Sequence, residues 1–232
     1  MLFNWQEGEL MKICIDAGHG GTDPGACHGA LYEKDVVLDI ALHLEKMLKN
    51  AGYEVFMTRT SDVFNTPAEK AFMANNSKAD YFISIHCNAY LDPTANGTET
   101  LVYELNGEGG RLAKQVQKSL LETLETRDRG VKERKDLIVI NSTRMPAILV
   151  ETAFISNPDE KAILLDSKKR KAIAQAIFSG IQRHLGFEPT TEEIMDQYKK
   201  EVKKLYNFSD ETIEYLAAYR FNRALFERLI NH

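Results

Sequence analysis

The chain has 232 residues, 44% of them hydrophobic and 27% charged, with a formal net charge of −5. That composition supplies a core for one domain of ordinary size with a small addition, and the negative balance argues against nucleic acid as a partner. No run approaches the ~20 apolar residues of a membrane span, so membrane insertion is not expected. Three widely spaced cysteines, Cys14, Cys27 and Cys87, make no CxxC pair and fit a reducing cytoplasm better than a disulfide framework.

The N-terminus, "MLFNWQEGELMKI", lacks a basic segment followed by an apolar one, so synthesis in the cytoplasm without a signal peptide is expected. Residues 1–10 read two ways: a leader translated from a purine-rich stretch ahead of a start at Met11, or a short N-terminal arm. Lys12–Asp16 is the first expected strand. Lys34–Asn50 carries Val37, Ile40, Ala41, Leu44, Met47 and Leu48 at helical spacing and stops at Ala51-Gly52. Tyr53–Thr58 reads as a strand, Ala68–Lys78 as a helix, and Tyr81–His86 and Thr98–Tyr103 as strands. Gly109–Glu125 is a helix with Leu112, Val116, Leu120 and Leu124 on one face. Leu137–Ile140 and Ala147–Glu151 are expected strands, followed by helices at Pro158–Leu165 and Lys168–Leu185.

Strands separated by helices predict an α/β fold, with a mostly parallel twisted sheet and helices on both faces. Gly186-Phe187-Glu188-Pro189 marks a boundary, beyond which the pattern is only helical: Thr191–Tyr206, then a helix from Asp210 to about Ile230 behind an N-cap at Ser209. The expected organisation is therefore residues 1–10 as leader or arm, 11–186 as the chemical domain, and 187–232 as a small all-helical module.

Three strands end in polar residues: the first runs into His19, "YFISIH" ends at His86, and "PAILVE" ends at Glu151. In a parallel sheet those carboxyl ends share one rim, where open α/β proteins bind ligands. The glycine-rich loop from Gly18 to Tyr32 can fold Glu33 back beside His19. It is not a phosphate loop, because neither GxGxxG nor GxxxxGK[ST] is present. Two imidazoles and one carboxylate form a catalytic zinc set with an open fourth position. One of Glu33 and Glu151 then binds metal and the other moves a proton. His28, His43 and His184 read as surface or packing residues, and Cys27 and Cys87 as packing.

"DAGHGGTDPGA", "YEKD", "SIHCNA" and "MPAILVETAFISNPDE", in this order, resemble the zinc-dependent N-acetylmuramoyl-L-alanine amidases of the amidase-3 type, found among phage endolysins and bacterial autolysins. The resemblance runs from about Lys12 to Gly186. It implies one Zn²⁺ held by His19, Glu33 and His86, with Glu151 as catalytic acid and base. It also implies hydrolysis of the peptidoglycan amide between the lactyl group of N-acetylmuramic acid and L-alanine of the stem peptide. "DRGVKE" also looks like a family segment, making Arg129 and Lys132 candidates for stem-peptide carboxylates, and Asn88 a substrate or supporting contact. Lys70 stands where relatives often show arginine, and Cys87 where they commonly show alanine.

Without a signal, release through a holin pore as a phage endolysin fits best, with action at mother-cell lysis second. The C-terminal helices would bind the cell wall or self-associate. Two rivals are a zinc peptidase of the carboxypeptidase kind and a catalytically silent wall-binding module. The intact quartet argues against the second.

Overall fold

The computed structural model describes residues 10–187, and beyond them 199, 202, 203, 205–218 and 222–230. The leader or arm at 1–10 lies outside the described residues except for Leu10, as does most of the helix expected at Thr191–Tyr206. The strands are β1 (Lys12–Ala17), β2 (Cys27–His28), β3 (Leu31–Tyr32), β4 (Glu54–Met57), β5 (Tyr81–Asn88), β6 (Thr98–Val102), β7 (Asp128–Glu133) and β8 (Ala147–Phe154). The helices are α1 (Glu33–Asn50), α2 (Pro67–Ser77), α3 (Glu108–Leu124), α4 (Ile138–Asn141), α5 (Pro158–Leu165), α6 (Ser167–His184), α7 (Asp210–Ala217) and α8 (Asn222–Ile230). The chain divides into two compact units, Met1–Leu185 and Gly186–His232.

The six-stranded sheet of the first unit has the order β4-β1-β5-β8-β6-β7. Four strands, β4, β1, β5 and β8, pair in parallel. β6 pairs antiparallel with β8 and parallel with β7. The central strands β1, β5 and β8 are buried on both faces, as a sheet covered on both sides requires. Along β1, Ile13, Ile15 and Ala17 enter the core under α1, α3 and α6, while Cys14 enters the smaller core under α2 and α4. The alternation puts Asp16, Ser84, His86 and Glu151 on the α2/α4 face, the first three following Cys14 and Phe82, the last following Leu149.

Helix starts follow local chemistry. Thr66 and Glu69 form a reciprocal capping box ahead of Pro67, Asn157 caps α5 ahead of Pro158, and Asp166 caps α6. In the large core α3 and α6 come so close at Gly180 that a Cβ there would lie 2.5 Å from the Val116 Cα.

Two expected elements differ. Leu137–Ile140, expected as a strand, leads into the single-turn helix α4, which packs on α2. A four-residue apolar run carries no period that separates the two forms. The edge strand is instead β7, the segment "DRGVKE". The long helix expected from Asp210 to Ile230 is two helices, α7 and α8. Ile213 and Phe226 share one small core with Val202. One straight helix would hold residues 13 apart about 20 Å from each other, too far to share that core.

Replacing Gly180 with alanine should lower stability by about 1–3 kcal/mol through overpacking against the Val116 backbone. The thermal midpoint should fall by several degrees in scanning calorimetry; an unchanged midpoint would show that α3 and α6 can separate freely.

Candidate active site

Glu33 is the first residue of α1, and it is only 3% exposed. A buried carboxylate must be compensated. Oε2 accepts the Ala26 N–H at 2.9 Å, and Oε1 accepts the Cys87 N–H at 2.9 Å. The same Oε1 lies 3.1 Å from His19 Nε2 and 3.0 Å from His86 Nδ1. Burial pushes the Glu33 carboxyl upward, but the two imidazoles outweigh it and hold the group well below the usual carboxylate range.

The β2–β3 hairpin carries Glu33 to this position. The Glu33 N–H donates to Ala26 O at 2.9 Å and the Lys34 N–H to Pro24 O at 3.1 Å, so the loop closes on the start of α1. His19 adopts a left-handed backbone at φ 57. Its Nδ1 donates to Asp23 Oδ2 at 2.8 Å, which leaves Nε2 facing Glu33 and His86. Burial disfavours a charge on His19, yet Glu33 and Asp23 outweigh it and raise its pKa. A proton and a metal ion therefore compete for that nitrogen.

His86 lies near the end of β5, beside a register shift between His86 and Asn88 in the pairing with β8. Such an irregularity re-aims side chains at a sheet rim. The imidazole rings of His19 and His86 meet edge to face, with centroids 4.9 Å apart. Gly18 packs flat on the His86 ring: a Cβ there would lie 2.4–2.7 Å from three ring atoms. His19, Glu33 and His86 form the group of potential metal ligands found among the described residues, with ligand atoms within 4.8 Å of one another.

Glu151 pairs in register with His86 across β5 and β8, and lines a cleft of about 330 Å³ with His19, Glu33, His86 and Asn88. Its Oε2 is buried and has no hydrogen-bond partner among the described residues. Burial, opposed by His86 and reinforced by Glu33 and Glu99, pushes its pKa up to about 7.

The quartet read from the motifs thus converges. Asn88 joins it in the cleft, and its amide donates to Glu99 Oε1 at 2.7 Å. Arg129 and Lys132 turn to Glu99 Oε2, the arginine Nε at 3.0 Å. Glu99 lies opposite Glu151 in the antiparallel β6–β8 pair. Burial pushes the Glu99 carboxyl up, but the two cations overcome it and lower its pKa.

Sequence reasoning missed Glu99, Asp23 and the supports beneath the rim. Asp16, fully buried, accepts from Thr58 Oγ1 at 2.6 Å and Ser84 Oγ at 2.7 Å, and pairs with Lys70 Nζ at 3.0 Å. Lys70 also donates to Ala17 O at 2.9 Å. The spacing of Asp23 four residues after His19 was a visible signal. Glu99 required knowing that β6 runs backwards.

Known proteins match this arrangement. The N-acetylmuramoyl-L-alanine amidase family of the amidase-3 type matches residues 13–183. The chain belongs to this family. Its function is accordingly peptidoglycan amidase activity. It is 40% identical over 171 residues to the N-acetylmuramoyl-L-alanine amidase LytC of Bacillus subtilis (strain 168), covering 72% of this chain and 34% of that protein. It is 38% identical over 184 residues to the endolysin of Bacillus phage SPP1, covering 76% of this chain and 66% of the endolysin. The chain thus spans about a third of one relative's length and about two thirds of the other's. The catalytic domain of CwlV, an amidase from Bacillus (Paenibacillus) polymyxa var. colistinus, superposes with a TM-score of 0.73 at 35% identity, covering 77% of this chain and 100% of that domain.

Gly18→Ala should push the His86 ring out of line. A displacement of about 1 Å can cost on the order of 100-fold in rate. Turbidity loss of purified sacculi should therefore slow by tenfold or more while far-UV circular dichroism stays unchanged. Full activity would show that the ring tolerates displacement.

Proposed function

We propose that the chain hydrolyses the amide between the lactyl group of N-acetylmuramic acid and L-alanine, using one zinc ion held by His19, Glu33 and His86. Two imidazole nitrogens and one buried carboxylate oxygen suit Zn²⁺ and leave a position for water or substrate. When bound, zinc polarises the carbonyl and makes water acidic enough to attack near neutral pH.

Glu151 is the general base and then the general acid. The observation that carries this is its buried Oε2, free of hydrogen bonds among the described residues, in the cleft shared with all three donors. Burial raises its pKa, which suits a carboxyl that takes a proton from the attacking water and returns it to the departing alanine nitrogen. Asp23 holds the His19 tautomer, so Nε2 stays available as a ligand.

Asn88, Arg129 and Lys132 are substrate contacts in this reading. Glu99 gathers all three, and a stem-peptide carboxylate would take over some of those N–H donors. The protein acts on the cell wall. The match to the SPP1 endolysin supports the reading as a phage endolysin, which would leave the cell through a holin pore, and the match to LytC supports a second reading, a bacterium's own amidase. In both, the unit Gly186–His232 serves wall attachment or self-association.

Chelation with EDTA should abolish activity and zinc, but not magnesium, should restore it. Glu151→Gln should lower turnover by about 10²–10⁴-fold, the range typical of a lost general base, while elemental analysis still finds one zinc per chain. His86→Ala should lose both. Activity that survives chelation, or a Glu151→Gln variant near the parent rate, would contradict the assignment.

A further inference from the structure

We propose that Arg59 is a positioning residue that sets zinc affinity by clamping the two chain segments that bear His19 and Glu33. The inference rests on the zinc reading above. Arg59 follows β4 and is 3% exposed. Its guanidinium spends its donors on backbone carbonyls of separate segments. Nε donates to Ala17 O at 2.9 Å and Nη2 to Gly18 O at 2.7 Å, on the arm leading to His19. Nη2 also donates to Lys34 O at 2.8 Å, one residue past Glu33. Nη1 donates to Ser61 O at 3.1 Å and fixes the loop that carries it.

The next residues of that loop repeat the connection. Asp62 Oδ1 accepts the Gly21 N–H at 2.7 Å and Asp62 Oδ2 accepts Lys34 Nζ at 2.7 Å, while Lys34 Nζ also reaches Gly21 O at 3.0 Å. The loop lies so close to the glycine-rich loop after β1 that a Cβ on Gly20 would sit 2.1 Å from Val63 O and 3.0 Å from Arg59 Cδ. Gly20, at φ 130, is thus the residue that lets the strap lie down.

The chemistry explains the choice of arginine. A planar fork with five N–H donors can hold carbonyls in different directions at once, whereas a lysine ammonium is a compact charge on a flexible stem. Among the described residues, the hydrogen bonds of Arg59 all go to backbone carbonyls and none to a side chain of the three metal ligands. The arginine acts on where their backbones stand, so its loss widens the gap between His19 and Glu33 without removing a donor atom. Supporting contacts of this kind commonly govern 10–100-fold in metal affinity.

The test measures zinc dissociation constants by chelator competition for the parent, Arg59→Lys, Arg59→Gln, Asp62→Asn and Arg170→Ala, with thermal midpoints for each. Arg170 joins Asp39 and the carbonyls of Leu164 and Leu165 away from the site, so its loss reports general loosening. Both Arg59 variants should bind zinc at least tenfold more weakly, with Asp62→Asn weakened by less. Arg170→Ala should lower the midpoint and leave affinity within twofold of the parent. Activity of Arg59→Lys should climb toward the parent value as zinc is raised. Parent-like affinity in both Arg59 variants would overturn the clamp, as would losses in Arg170→Ala matching those in Arg59→Lys. A parent that binds no zinc would instead overturn the zinc reading and take the clamp with it.

Discussion

The Glu33 carboxylate is the point on which the site depends. It is buried at the first turn of α1, where the helix dipole favours negative charge, and four groups from three parts of the chain converge on it. Ala26 comes from the segment leading into the β2–β3 hairpin, Cys87 and His86 from β5, and His19 from just past the end of β1. Removing one partner from a buried charge is commonly costly, of the order of several kcal/mol. The same burial that makes Glu33 demanding makes the geometry around it unforgiving, which suits a site that must hold donors at fixed separations.

The sheet explains why Glu151 stands where it does. β5 and β8 are parallel neighbours, so His86 and Glu151 come level at one rim. β6 then reverses direction and brings Glu99 opposite Glu151. Two carboxylates on adjacent strands would repel if both were charged and bare. Arg129 and Lys132 on β7 settle the charge on Glu99, while Glu151 remains without a hydrogen bond at Oε2 among the described residues. One acid is neutralised by cations, and burial raises the pKa of the other.

Much of this was legible in the sequence. Strand periodicity and the polar residues at strand ends located His19, His86 and Glu151, because parallel strands share a rim whatever their order. Glu33 followed from the loop that precedes α1. What stayed hidden depended on topology or on contacts with backbone. Glu99 looked like any polar residue in a strand until β6 was seen to run antiparallel. Arg59 raised no expectation, and Lys70 was noted only as standing where relatives often show arginine, yet both are buried and donate to the Ala17 carbonyl at the end of β1. The one-turn helix α4 was unreadable because four apolar residues are too few to show a period, and the division into α7 and α8 because the helical spacing of the sequence gives no sign of it.

The central claim is that the His/Glu/His cluster and Glu151 act together on one amide bond. Mass analysis of the products from purified sacculi, digested with the zinc-loaded protein, tests it most directly. Stem peptides released with a free L-alanine amino group, with glycan strands intact, are the result the account predicts. New reducing sugar ends, or free amino acids cut from the peptide instead, would contradict it.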